Sequence, residues 1–261
     1  MRMRSRIAAA IAAAALAVTL VPAATISPAA ADTEIVALVA SNAKGAFEEI
    51  IKEFESKHKG VTIKAQYLGG STIAKMVDEN QPADVVLVGE KPIAKEGLLL
   101  ADPPTPVLKN KEIILVPKGN PAKIKSLKDI ANPGVKLSMG TPSSAVGSIA
   151  STVLQNGASE YGFEFIQNAR KNIAVQEEKG SDVVAALTNG KANAAITFAS
   201  DDDPSKFDAV QIEEKLNVVS TYVMAVPKAS KNQAVAKEIV AFVAGPEGQA
   251  VLKKFRYMSP K

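Results

Sequence analysis

The apolar and polar positions of the chain follow two alternating periods, which predict a succession of strands and helices. Residues 36–40 form a continuous apolar run, typical of a parallel strand that is covered on both faces. An amphipathic helix is predicted directly afterwards, because apolar residues recur there at helical spacing: Phe47, Ile50, Ile51 and Phe54. Ser41 lies in the turn between them, where its hydroxyl either caps the helix or faces an anion together with the following backbone N–H groups.

The same succession of strand, polar turn and helix start recurs further along the chain. The alternating run at 61–67 predicts a strand, and the turn Gly69-Gly70-Ser71 opens a helix that Ser71 either caps or leaves for a ligand. Two further helix starts follow predicted strands, at residues 145–147 and 182–183. Because free N–H groups and the helix dipole both favour negative charge, four such ends that converge would bind a small anion without lysine or arginine.

Strands alternate with helices over the whole chain, which predicts the α/β class with mainly parallel sheets. The remaining predicted strands lie at residues 83–89, 112–116, 136–139, 173–175, 194–198 and 218–226. We interpret the apolar stretches near Glu112 and Val223 as two crossings between a first lobe and an inserted second lobe. We therefore expect lobe I at residues 32–110 and 222–261, lobe II at residues 111–221, and a ligand cleft between them at the strand ends.

Residues 1–31 are predicted to be an export signal. Three arginines precede an apolar, alanine-rich run, and small residues precede the predicted cleavage site between Ala31 and Asp32. A membrane anchor is the alternative interpretation, but the apolar run is short for a membrane span. The chain has no cysteine, so neither a lipid on cysteine nor a disulfide is expected, and we predict a periplasmic, freely soluble monomer.

Removal of this segment lowers the net charge of the chain. The sequence carries 31 Lys+Arg and 27 Asp+Glu, and three arginines leave with the signal, so the mature net charge is 28 − 27 = +1. This balance gives no indication of binding to nucleic acid or to an anionic membrane surface. One histidine and no cysteine argue against nucleophilic catalysis and structural zinc, and we interpret the acidic run at 201–203 as a solvated turn. The sequence favours binding over catalysis and indicates no cofactor.

Several motifs occur in an order that resembles one protein family. They are Ala40-Ser41, Gly69-Gly70-Ser71-Thr72-Ile73-Ala74, Pro82-Ala83-Asp84-Val85, Val116-Pro117-Lys118-Gly119-Asn120-Pro121, Asp182-Val183 and Gly245-Pro246-Glu247-Gly248-Gln249. Together they resemble the periplasmic molybdate-binding proteins, the type II solute-binding components of molybdate ABC transporters. The resemblance implies a two-lobed type II periplasmic binding protein fold. Such a protein captures molybdate or tungstate and delivers it to a membrane permease, with no cofactor and no free metal cation.

The resemblance also implies which positions contact the ligand. The family holds its tetrahedral oxyanion with two serines, two backbone N–H groups from the second lobe and a tyrosine hydroxyl. Gly70 and Ser71 compete for the second serine position, and the tyrosine position holds Phe198, which has no hydroxyl. The implied ligand-binding positions are Ser41, Gly70 or Ser71, the N–H groups of Val146 and Val183, and Phe198.

Other functions fit the same sequence pattern. The ligand of such a cleft is alternatively sulfate, phosphate or an organic acid. A different class of function, an exported sensor or interaction module that keeps the fold, is a further alternative, because one fold serves many functions.

Overall fold

The computed structural model describes residues 32–93 and 99–260, and the predicted export signal at 1–31 lies outside them. None of the helices in this part of the chain is long and apolar enough to cross a membrane. The described strands are β1 Thr33–Ala40, β2 Val61–Leu68, β3 Val85–Gly89, β4 Thr105–Pro117, β5 Leu137–Gly140, β6 Ile173–Glu177, β7 Ala194–Phe198, β8 Phe207–Gln211 and β9 Val219–Ala225.

Helices follow most of these strands. The described α-helices are α1 Lys44–Lys57, α2 Gly70–Asp78, α3 Glu90–Ile93, α4 Ala145–Tyr161, α5 Phe163–Lys171, α6 Gly180–Thr188, α7 Gln233–Ala244 and α8 Pro246–Lys254. Three short 3₁₀ turns are Ser41–Ala43, Leu127–Ala131 and Ala199–Asp201. The α/β class is thus confirmed, and strand β7 has the predicted bounds.

The strands hydrogen-bond in the order β2-β1-β3-β9-β4-β7-β5-β6, with β8 added on β4. β2, β1 and β3 are parallel, as are β6, β5 and β7. The inner strands β1, β3, β5 and β7 carry the buried apolar runs expected of strands between layers of helices, whereas the outer strands β2 and β6 alternate. The pairs that involve β4 or β9 are antiparallel, so the described sheet is mixed rather than uniformly parallel.

Strand β4 links the two parallel groups. We call β2, β1 and β3, together with β9, the first sheet, and β6, β5 and β7, together with β8, the second sheet. It pairs with β9 as far as Lys111, which lies opposite Val219, and with β7 from Glu112, which lies opposite Phe198. The sequence predicted only residues 112–116 of this strand, which follow a group of prolines that includes Pro106. The structure accommodates that proline at an irregularity, where the register shifts between Pro106 and Leu108, and a proline costs no regular ladder hydrogen bond there.

The apolar side chains form separate cores on either side of the partner change in β4. Two clusters contain buried residues only from 35–108 and 222–257, and two others only from 113–216. Neighbouring residues of β4 serve different clusters on the two sheet faces, Ile114 beneath α4 and α5 and Ile113 beneath α6. The first two clusters fall within the residue ranges expected for lobe I, and the other two within the range expected for lobe II. The bounds of the lobes stay a prediction.

The sequence prediction lacked three elements: the single-turn helix α3, helix α5 and strand β8. Gly162, with φ 90°, separates α4 from α5, so one continuous helical pattern is broken into two helices. Among the described strands, β8 pairs with β4 alone, and just Phe207 of its five residues is buried, so its apolar signal is weak.

Asp84 ties the first sheet to the segment before α7, and we expect its removal to destabilise the protein. Its carboxylate accepts hydrogen bonds from the Val36 N–H at 2.9 Å and the Ser230 hydroxyl at 2.7 Å, in a buried position. Asp84→Ala removes the acceptor of these two donors and of the Asn232 amide, and should lower the free energy of unfolding by about 1–3 kcal/mol in urea titrations.

The matched control is Asp78→Ala, at the exposed end of α2, which should change the free energy of unfolding by less than about 0.5 kcal/mol. Equal effects of the two substitutions would contradict a structural role for Asp84.

Candidate ligand-binding site

Both sheets direct the carboxyl ends of their parallel strands toward the point where β4 changes partners. In the first sheet, β3 ends at Gly89, opposite Tyr222, and Tyr222 lies in turn opposite Leu108 of β4. In the second sheet, β7 ends at Phe198, opposite Glu112 of β4. The strand ends therefore approach the same stretch of β4 from opposite sides. We call the space between the turns after β1 and β2 and those after β5, β6 and β7 the cleft.

Hydrogen bonds fix the turns on both sides of the cleft. The Asn42 side chain donates to the Tyr222 hydroxyl at 2.9 Å, and the Tyr257 hydroxyl donates to the Asn42 carbonyl at 2.7 Å. From the other side, the Asn110 amide donates to the Ser200 hydroxyl at 2.9 Å. These bonds hold the turn after β1 and the turn after β7 against the strands that join the two sheets.

Ser41 is the first residue of the turn after β1 and is exposed. It caps neither helix that follows, because the 3₁₀ turn begins after Ala40 and α1 begins after Ala43. Among the described residues, none forms a hydrogen bond with its hydroxyl. The interpretation of Ser41 as a helix cap is therefore wrong, and the hydroxyl is free to donate.

Gly70 and Ser71 open α2, and Gly69 occupies the cap position. Ser71 is the second helical residue and exposed, so it does not cap the helix either. A β-carbon at Gly70 would lie 3.3 Å from Val88 Cγ2, so this position has little room for a serine. The hydroxyl available at this helix start is that of Ser71. The N–H groups of Gly70 and Ser71 have no acceptor in the described part of the chain.

Helix α4 begins at Ala145, and Ser144 caps it. The Ser144 hydroxyl accepts from the Gly147 N–H at 3.1 Å, which leaves the N–H groups of Ala145 and Val146 without acceptors among residues 32–93 and 99–260. The sequence analysis missed this cap, although a serine just before a helical apolar pattern is the usual signal. The Val146 side chain is buried, so only its backbone can face the cleft.

Helix α6 begins at Gly180, two residues earlier than the predicted start at Asp182. The Val183 N–H consequently donates to the Lys179 carbonyl at 3.0 Å inside the first turn. This corrects the predicted donor at this end: the N–H groups left without described acceptors belong to Gly180 and Ser181.

Phe198 is the last residue of β7 and only 2% exposed. Its ring lies on the same sheet face as the Glu112 side chain, because the two residues are directly opposite each other on antiparallel strands. Phe198 therefore contributes an apolar wall beside an acidic group, and no hydrogen-bond donor.

Glu112 is an acidic residue that the sequence analysis did not single out. It is 0% exposed, and neither of its carboxyl oxygens has a hydrogen-bond partner among the described residues. Burial raises its pKa well above the ordinary range, and the charge of Asp201 adds to this rise. The sequence feature that could have identified Glu112 was the polar run Asn110-Lys111-Glu112 directly before the apolar residues of this strand.

Asp201 ends the turn after β7 and packs against the start of α6. Its Oδ2 accepts from the Thr197 hydroxyl at 2.6 Å, and a β-carbon built on Gly180 would overlap the same oxygen. The pKa of Asp201 is raised to about 6, mainly because its carboxyl group is buried. One oxygen of the next residue, Asp202, is buried and has no hydrogen-bond partner in the described part of the chain, and the other lies 3.2 Å from Arg256 Nε. The interpretation of residues 201–203 as a solvated turn is therefore wrong for Asp201 and Asp202, while the Asp203 side chain is solvent-exposed and pairs with Lys206.

Comparisons with known proteins agree on one family and one fold. A family model for bacterial extracellular solute-binding proteins matches residues 35–257. The molybdate-binding protein ModA of Mycobacterium tuberculosis is 28% identical over 232 residues, which cover 87% of this chain and 85% of that protein.

Two solved structures share the fold of this chain. The periplasmic molybdate-binding protein of Azotobacter vinelandii has a TM-score of 0.70 and 16% identity, covering 87% of this chain and 100% of that one. The sulfate-binding protein SubI from Mycobacterium tuberculosis H37Rv has a TM-score of 0.72 and 16% identity, covering 88% of each chain. At this level of identity the two structures support the fold and not a ligand.

The buried Glu112 leads us to expect a pH-dependent stability of the ligand-free protein. Above about pH 4.5, the ordinary value for glutamate, the unfolded chain releases a proton that the folded protein keeps. The free energy of unfolding should therefore fall by up to about 1.4 kcal/mol per pH unit, until the pH passes the pKa of Glu112 in the folded protein. Glu112→Gln should reduce this slope and should leave stability below pH 4.5 nearly unchanged.

Urea titrations at a series of pH values, followed by circular dichroism, measure the slope; the chain has no tryptophan for fluorescence. The control is Glu238→Gln, on the exposed face of α7, which should keep the slope of the unsubstituted protein. An identical slope in all three proteins would mean that Glu112 titrates normally.

Proposed function

The chain belongs to the bacterial extracellular solute-binding proteins, and we propose that it captures a small tetrahedral oxyanion, molybdate or tungstate, for delivery to the permease of an ABC transporter. It is a binding protein with the type II periplasmic binding protein fold, and not an enzyme. The proposal places capture in the periplasm, after export directed by residues 1–31. The oxyanion is the cargo of the protein and requires no separate cofactor.

The observation that carries this proposal is the set of neutral donors around the cleft. Several donors have no acceptor among the described residues. They are the exposed hydroxyls of Ser41 and Ser71 and three pairs of N–H groups, at the starts of α2, α4 and α6. Each helix start also contributes the positive end of its dipole. Several such donors around one point favour a multiply charged oxyanion that accepts hydrogen bonds from all sides.

Molybdate is the leading ligand because the relative with 28% identity is named for molybdate. Sulfate is the second candidate, since a sulfate-binding protein has the same fold and sulfate has the same charge and shape. Phe198, in place of a tyrosine, removes a hydroxyl donor that the family resemblance implies for molybdate.

A thermal-shift screen with molybdate, tungstate, sulfate and phosphate tests the proposal. A ligand that binds only the folded protein raises the melting temperature, and at equal concentration the tighter ligand raises it more; calorimetry then gives the dissociation constant. We expect molybdate and tungstate to give the largest shifts. No shift with any oxyanion would reject the proposed function, and a shift with sulfate alone would replace molybdate as the ligand.

We expect Ser41→Ala to weaken oxyanion binding. The substitution removes a hydroxyl donor to a charged acceptor without removing a helix cap, so it should cost about 1.5–3 kcal/mol, or roughly 10- to 150-fold in the dissociation constant. Titration calorimetry with the oxyanion selected by the screen measures the change.

The matched control is Ser159→Ala, at the exposed far end of α4, where the hydroxyl donates to the Gln155 carbonyl within the same helix. An unchanged affinity in Ser41→Ala would remove Ser41 from the site, while the control verifies that serine substitutions alone leave binding intact.

A second expectation concerns salt. Two lysines lie at the edges of the donor turns, Lys44 and Lys179. The Lys44 ammonium is 3.8 Å from a Glu48 carboxyl oxygen, and Lys179 directly precedes α6. Binding by neutral donors should therefore weaken by less than about threefold between roughly 50 and 500 mM sodium chloride. A much steeper decrease in affinity, measured by calorimetry, would point to a cationic site.

A further inference from the structure

The segment after α8, residues 255–258, packs against elements on which the cleft depends. It is anchored on β4, because Lys109 and Met258 exchange two backbone hydrogen bonds, of 2.8 and 2.9 Å. At its other end, the Phe255 ring packs against the first turn of α1, where a β-carbon on Gly45 would lie 3.0 Å from it. The segment is therefore fixed on both sides of the residue between these contacts.

That residue, Tyr257, holds the neighbour of Ser41 in place. Its hydroxyl donates to the Asn42 carbonyl at 2.7 Å, while the Asn42 side-chain amide donates to the Tyr222 hydroxyl at 2.9 Å. Tyr257 is 5% exposed and Tyr222 4%, so these bonds form largely away from water, where they are electrostatically stronger. Because Asn42 is bonded through both its carbonyl and its side chain, the turn after β1 has little freedom to move.

The Tyr257 hydroxyl also meets the turn on the other side of the cleft. Burial raises the pKa of Tyr257, and a hydrogen bond with Ser200, in the turn after β7, opposes that rise. A hydrogen bond that lowers this pKa favours the phenolate, so the Ser200 hydroxyl is its donor. Ser200 in turn accepts from the Asn110 amide of β4 at 2.9 Å. One chain of hydrogen bonds therefore runs from β4 through both hydroxyls to the Asn42 carbonyl and joins the turns on the two sides of the cleft.

A strained residue precedes Tyr257. Arg256 has φ 63°, in the left-handed region where a helix end usually has glycine, and its N–H donates to the Lys253 carbonyl at 2.9 Å. Its Nε lies 3.2 Å from a carboxyl oxygen of Asp202, whose side chain is only 7% exposed. Strained residues persist where their surroundings hold them. This one is held by an ion pair to the residue that follows the turn after β7.

The direction of the Ser41 hydroxyl depends on the backbone of its turn. The hydroxyl is exposed, and no side chain in the described part of the chain is bonded to it. A donor that already points the right way before the ligand arrives loses less conformational freedom on binding. The bonds to Asn42 supply this restraint from outside the site, since neither tyrosine hydroxyl has to touch the ligand.

We propose that Tyr257 is a positioning residue for oxyanion capture. It holds the turn with Ser41 through the Asn42 carbonyl and ties it, through Ser200, to the turn after β7. This inference rests on the proposed function, because it assumes an oxyanion that accepts a hydrogen bond from Ser41. Loss of the Tyr257 hydroxyl lets the turn move and weakens binding, although no contact with the ligand is removed.

Titration calorimetry of Tyr257→Phe with molybdate and with sulfate tests this role. The substitution keeps the buried ring and removes only the hydroxyl, so we expect the dissociation constant to rise by about 3- to 10-fold, the equivalent of one hydrogen bond. A merely structural role would lower the melting temperature of the ligand-free protein and leave the affinity of the folded protein unchanged. The matched control is Tyr161→Phe, at the end of α4, where the hydroxyl donates to Glu213 at 3.1 Å and the affinity should not change.

A double-mutant cycle shows whether Tyr257 acts through Ser41. If it does, Tyr257→Phe should change the affinity by less than about twofold when Ser41→Ala is already present, because the hydroxyl that it positions is gone. Equal effects with and without Ser41→Ala would overturn the inference. Asn42→Ala, in the half-buried turn, removes the bond to the Tyr222 hydroxyl and is the second variant if Tyr257→Phe fails to fold. Its effect should depend on Ser41 in the same way.

The outcomes separate this inference from the proposed function. Binding of either probe to the unsubstituted protein, with an unchanged dissociation constant in Tyr257→Phe, would overturn the positioning role and leave the proposed function intact. An equal loss of affinity in Tyr161→Phe would also overturn it, because the effect would then not be specific to the segment after α8. Absence of binding of both probes to the unsubstituted protein would count against the proposed function itself, and against this inference with it.

Discussion

Strand β4 carries hydrogen bonds to both sheets, to β9 as far as Lys111 and to β7 from Glu112 onward. Because side chains alternate between the faces of a strand, a slip of one residue would bring Glu112 to the place of Ile113, in the apolar core beneath α6. The register of this one strand therefore determines which side chains reach the cleft. It also brings the ends of two parallel sheets to the same point, so that residues far apart in sequence become neighbours.

The donors at this point differ from those of a cationic anion site. They are hydroxyl and N–H groups at strand ends and helix starts, held by the fold and by hydrogen bonds such as those of Asn42 to Tyr222 and Tyr257. Neutral donors require little desolvation of charge before the ligand arrives. Their geometry rather than their charge then determines which anion fits.

The two acids beside these donors oppose stability. Glu112 is buried without a partner, and burial raises the pKa of Asp201 to about 6, so both carboxyl groups favour unfolding once the unfolded chain ionises them. Strained or unsatisfied groups persist in folded proteins mainly where they serve a site. The location of both acids at the junction of the sheets, and not in either apolar core, agrees with that rule.

The sequence by itself determined the α/β class, the position of most strands and helices, and the polar turns that carry Ser41 and Ser71, because hydrophobic period and turn residues are local properties. It did not determine the hydrogen bonds within those turns. Helix α6 begins two residues earlier than predicted, which occupies the Val183 N–H and frees that of Gly180. The environment of Glu112 and Asp201 was also decided only by tertiary structure. Burial and the absence of a counterion depend on which distant residues pack around a carboxyl group, and local sequence does not contain that information.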